Sequence, residues 1–243
     1  MKILAIGNSF SEDAMRYLQG IAESDRYPLQ AINLMIGGCS LARHYRNLLS
    51  GEKAYGLQQN GCATGFSVSL QEALLTQEYD VVTLQQVSHD APRFETYEPY
   101  LSVLAQEIRK CQPKAKLFLH MTWAYEDGSA RLQKELGYTS RADMYADLVK
   151  AYTQAAQCIH ADGIIPSAAA MQESLARGIT QVHRDGFHAG LGYGRYLIGL
   201  VWYGALTGRT VVGNPFRNFD EPVPEEAVAI AQLSAQAALR ANG

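Results

Sequence analysis

Five short runs of apolar and β-branched residues, at 2–6, 30–36, 79–84, 116–120 and 163–166, restrict the fold more than any other feature of the sequence. They are nearly continuous rather than alternating, the pattern of strands buried on both faces. Between them apolar residues recur at helical spacing, as in Tyr97, Leu101, Leu104 and Ile108, or Met144, Leu148, Tyr152 and Ala155. Alternating strands and helices with right-handed crossovers predict an α/β protein: a three-layer α/β/α sandwich, flavodoxin-like, with a five-stranded parallel sheet in the order 2-1-3-4-5. Pro113 and Pro166 mark boundaries, and further helices are expected over 97–111, 144–159, 193–206 and, after Pro222 and Pro224, 225–240. The stretch 51–66, with Gly51, Gly56, Gly61 and Gly65, reads as a loop. There is no internal repeat or linker, so residues 1–243 are expected to form one domain, below the ~250–300 residues at which cores divide.

The net charge of −3 and the mixing of both signs along the chain argue against nucleic acid or an anionic membrane as partner. No apolar run approaches the ~18 residues of a membrane span. The N-terminus has too short an apolar segment for a secretory signal, so a cytoplasmic location is the default expectation, with a trimmed signal the alternative. Cys39, Cys62, Cys111 and Cys158 lack disulfide-framework or zinc-ligand spacing. Cys111 and Cys158 are expected to be small buried hydrophobes, and Cys39 to line a pocket. No metal or cofactor is implied. The 14 tyrosines could form a dimer face or simply pack, and the oligomeric state stays open.

In parallel sheets of this kind ligands bind beyond the carboxyl ends of the strands. After the first run comes Gly7-Asn8-Ser9-Phe10-Ser11, which would present Ser9 as a nucleophile with helix N-terminal amides beside it. The same residues fit a Ser-x-x-Glu capping box ending at Glu12, so spacing alone leaves both readings open. Far along the chain lies Arg184-Asp185-Gly186-Phe187-His188. An Asp-x-x-His loop lets the carboxylate accept from one imidazole nitrogen while the other faces a hydroxyl. A solvated pair or a helix-capping histidine is the alternative. His183 lacks the equivalent spacing.

With these two blocks at opposite ends, the sequence resembles the SGNH (GDSL-type) hydrolase superfamily, in a bacterial branch with Gly-Asn-Ser-Phe-Ser and Leu-Gln-Gln motifs. The resemblance implies Ser9 as nucleophile, His188 as base and Asp185 as its orienting carboxylate, with Asn8 standing where the family has Asp. The family's second block is matched by Gly37-Gly38, which places the Gly38 amide, with that of Ser9, in the oxyanion hole. The third block departs from the family: its Asn falls on Val87. Gln85, or as second choice Gln86, is then the side-chain donor, as in the esterase branch with Gln-Gly-Glu-Ser, where Gln85 and Ser88 match. Both glutamines could instead satisfy backbone groups.

Trp123 and Tyr125, after the fourth run, could form a platform for a sugar ring, though core packing competes. His89, His44 and Asn8 lie near enough to contact substrate, and His120 reads as a hydrogen-bonded structural residue. The resemblance implies a serine esterase acting through an acyl-enzyme on a small-molecule ester, with an acetylated carbohydrate as one option. The alternatives are a catalytically impaired binding module on the same scaffold and an acyltransferase using the same residues.

Overall fold

All five apolar runs form strands in the computed structural model, which describes residues 1–241. In chain order the elements are β1 (Lys2–Gly7), α1 (Ser9–Met15), α2 (Leu18–Ser24), β2 (Gln30–Met35), α3 (Leu41–Ser50), β3 (Tyr55–Gln59), β4 (Cys62–Val68), α4 (Leu70–Thr76), β5 (Val81–Leu84), α5 (Tyr100–Cys111), β6 (Lys116–His120), α6 (Arg141–Ile159), β7 (Gly163–Ile165), α7 (Ser167–Ala176), α8 (Tyr193–Thr207) and α9 (Glu225–Ala241). The strands make one sheet in the order β4-β3-β2-β1-β5-β6-β7. β1 lies between β2 and β5, and β2, β1, β5, β6 and β7 are all parallel, the expected order of the five. Ile3, Leu4 and Ala5 of β1 are fully buried, as a strand covered on both faces requires.

The sheet has seven strands rather than five because residues 51–66 are not simply a loop. β3 pairs antiparallel with β2, and β4 with β3. The hairpin turns at Asn60-Gly61, both with positive φ (51° and 77°), the Asn-Gly signature of a tight two-residue hairpin. Gly61 is also required sterically: a Cβ there would lie 2.4 Å from the Arg16 carbonyl oxygen. Most of β4 is solvent-exposed, so it lacks the apolar run that marks the interior strands.

Helices α1, α2, α7, α8 and α9 cover one face of the sheet, and α3, α4, α5 and α6 the other. α8 is buried along most of its length, Trp202 and Tyr203 included, and each such large apolar side chain contributes about 1.5–3 kcal/mol by leaving water. Cys39 is fully buried, whereas Cys111 is half-buried and Cys158 exposed on the outer side of α6, contrary to the expected burial of the last two. Among the described residues no helix is long and apolar enough to cross a membrane, and no group of three or more His, Cys, Asp or Glu side chains could hold a metal ion.

Candidate active site

The carboxyl ends of β1 and β2 and the loop before α8 meet at one sheet edge. Asn8, in extended conformation, caps α1: its Oδ1 accepts from the Phe10 amide. Ser9 is therefore the first helical residue and not the cap. Its Oγ lies 2.8 Å from His188 Nε2, and His188 Nδ1 lies 2.8 Å from Asp185 Oδ2. The carboxylate can only accept, so Nδ1 carries the proton and Nε2 is left to accept from Ser9. Asp185 Oδ1 accepts from the His188 and Phe187 amides at 2.8 and 3.3 Å, which fixes the loop's shape. Partial burial pushes the Asp185 carboxyl up, but its hydrogen bonds from the His188 side chain and backbone outweigh this and hold it below the usual carboxylate range.

The turn after β2 places Gly37 and Gly38 at the surface, with Gly38 at φ +61° and no heavy atom within 4 Å of where a Cβ would stand. Among the described residues, neither the Ser9 nor the Gly38 amide has a hydrogen-bond acceptor.

Both glutamines expected as side-chain donors are held by hydrogen bonds within the protein, and Gln86 has no N–H left to offer. Gln86 is saturated: its Oε1 accepts from the Leu41 and Val87 amides and its Nε2 donates to the Thr96 carbonyl and hydroxyl. Gln85 is buried, donates through Nε2 to Asn8 Oδ1 at 2.7 Å and accepts through Oε1 from His120 Nδ1 at 2.8 Å. Because the Phe10 amide already identifies Asn8 Oδ1 as an acceptor, every later orientation follows, and His120 Nε2 accepts from the Ser167 hydroxyl at 3.0 Å. Asn8 Nδ2 donates to the Cys39 carbonyl at 3.1 Å. The chain Ser167–His120–Gln85–Asn8–Cys39 links residues at or just beyond the carboxyl ends of five strands, β7, β6, β5, β1 and β2, beneath Ser9, and burial holds His120 down to about 3, keeping it neutral. Asn8 is 1% exposed, so it is a brace and not the substrate contact expected.

Trp123 and Tyr125 are likewise buried, which rules out the expected sugar platform. Trp123 stacks on Phe10 with ring centroids 4.4 Å apart and donates Nε1–H to the Phe187 carbonyl at 2.7 Å. Tyr125 shares a hydrogen bond with Ser88. His44 is fully buried beside Tyr55 and Cys39, away from substrate, and burial pushes the Cys39 thiol up to about 12. His183 is buried against the Ala124 carbonyl. His89 is half-exposed and lines a cavity of about 470 Å³ with Pro92, Arg93, Arg131, Leu136 and Tyr138 among its walls. Arg131, from a π-helical turn over Arg131–Glu135, lies 3.8 Å above the Phe187 ring, which packs 3.9 Å from the His188 ring. That wall carried little sequence signal, since residues 126–140 are mostly polar and the Leu132–Leu136 pair is too short a pattern to define a helix.

The central sheet flanked by helices matches the SGNH-hydrolase fold, although its count of seven strands and their order differ somewhat. An SGNH hydrolase candidate from Slackia heliotrinireducens matches 84% of this chain and 97% of its own at 26% identity and a TM-score of 0.61. The acetylxylan esterase Axe2 from Geobacillus stearothermophilus shares the fold at 16% identity, covering 85% of this chain and 94% of its own with a TM-score of 0.57. Within that fold the chain belongs to the DUF4886 family, a domain of unknown function whose pattern matches residues 2–238. A DUF4886 family protein from Bacteroides uniformis is similar throughout, at 32% identity and a TM-score of 0.90 over 99% of this chain and 95% of its own. No curated protein matches the chain.

Proposed function

We propose that this protein is a serine ester hydrolase. The reading rests on one observation above all, the Ser9–His188–Asp185 relay with both links at 2.8 Å. His188 Nε2 takes the Ser9 proton as Oγ bonds to the ester carbonyl carbon, and Asp185 stabilises the resulting imidazolium. The amides of Ser9 and Gly38 hold the oxyanion. Collapse breaks the bond to the alcohol, which leaves with the proton from His188. Water, deprotonated by His188, then attacks the acyl-enzyme, releasing the acid and restoring Ser9.

The cavity lined by His89, Arg93, Arg131, Glu135 and Tyr138, joined to the relay through the Arg131–Phe187–His188 contacts, offers hydrogen-bonding groups to a hydroxylated alcohol portion, which favours small acyl esters such as acetylated carbohydrates. Against a purely binding role stands the assembled relay, which a binding module has no need to keep. Hydrolysis of p-nitrophenyl acetate tests the reading: Ser9→Ala lowers the parent's rate by at least 1,000-fold, in the range expected for a triad nucleophile. A Ser9→Ala protein at the parent's rate overturns it.

A further inference from the structure

Asp13 lies one helical turn beyond Ser9 on α1, so the two share a face of the same helix. Its side chain is fully buried, and every bond it makes is to the segment that carries His188 or to α8. Arg184 Nη1 reaches both Asp13 oxygens at 2.9 Å, and the Ala189 amide donates to Oδ2 at 3.2 Å. Arg184 and Ala189 are the two residues that bracket Asp185–His188. The loop is closed on itself, with the Arg184 amide donating to the His188 carbonyl at 3.0 Å and Arg184 Nη1 donating to the Ala189 carbonyl. Arg195 Nε of α8 donates to Asp13 Oδ1 at 2.8 Å, while its Nη1 holds Asp220, which is gripped from the other side by Arg16.

A buried carboxylate with two arginines adds little stability over an apolar packing of the same volume, because desolvation offsets the attraction. What the charges do supply is direction. Ser9 comes from one end of the chain and His188 from the other, and a triad works only if its members are held to a fraction of an ångström. Asp13 is where the nucleophile's helix grips both ends of the base's loop.

We propose that Asp13, acting through Arg184 and the Ala189 amide, is a positioning residue that sets the Ser9–His188 distance. The inference rests on the reading of Ser9 as nucleophile, and the test separates the two. Labelling of Ser9 by a fluorophosphonate is timed in the parent, in Asp13→Asn, in Arg184→Gln and in the double variant, with p-nitrophenyl acetate kinetics alongside and near-UV circular dichroism to count folded protein. Arg177→Gln, which breaks a surface pair with Glu173, is the control. Per folded molecule, each single variant is expected to label tenfold or more slowly and to lose kcat by a similar factor with KM within twofold. The double variant is expected to be no slower than the worse single, because both remove one clamp. Should Asp13→Asn not fold, Arg184→Gln, whose side chain is 27% exposed, reads the same contact. Folded variants that label at the parent's rate, a loss carried wholly by KM, or effects that multiply overturn the clamp while leaving the nucleophile standing. A parent that does not label at Ser9 overturns both.

Discussion

Gln85 donates its side-chain amide to Asn8 Oδ1 across 2.7 Å, and this bond, 77 residues long in sequence, joins the end of β5 to the cap of the helix that bears Ser9. It makes Gln85 part of the frame beneath Ser9. Gln85→Ala leaves the His120 Nδ1–H without its acceptor and opens a buried gap. The expected outcome is a loss of roughly 2–4 kcal/mol in urea unfolding. An unchanged stability with a 100–1,000-fold fall in turnover would instead mark Gln85 as an oxyanion donor.

Trp123 makes a comparable contact from the other side. Trp123→Phe keeps the stack on Phe10 but removes the hydrogen bond to the Phe187 carbonyl, next to His188. Stability should fall by about 1 kcal/mol and kcat severalfold, with KM nearly unchanged. A rise in KM at constant kcat would show the ring touching substrate.

Three buried histidines make the fold sensitive to mild acid. Burial holds His44 and His120 down to about 3 and His183 to about 4. Unfolding frees each to take a proton near pH 6.5, so the unfolded state binds more protons below that pH. Stability is fully present above about pH 6.5 and is lost as pH falls, by about 1.4 kcal/mol per pH unit for each histidine. Urea midpoints measured from pH 7 to pH 5 should drop steeply, and a flat profile contradicts the neutral, buried state of these side chains.

The parallel strands and the meeting of the Ser9 block with the Asp185–His188 block were legible because each leaves a local pattern: continuous apolar runs for strands covered on both faces, and fixed spacing for Asp185 and His188. β3 and β4 escaped because β4 is an exposed edge strand, although Asn60-Gly61 carried the hairpin signal in plain view. The roles of Gln85, Trp123 and Asn8 could not be read because they depend on which partner is met across the fold. A glutamine at a strand end looks the same whether it faces a ligand or Asn8. Asp13 is the same case in charged form: nothing in the local sequence marks the arginines, 171 and 182 residues away, that meet its carboxylate.

The most direct test of the central claim is mass spectrometry of the intact, folded protein after exposure to a fluorophosphonate. The relay predicts a single adduct that maps to Ser9, is absent from Ser9→Ala and forms far more slowly in His188→Ala. A parent protein that stays unmodified, or an adduct on any other residue, contradicts it.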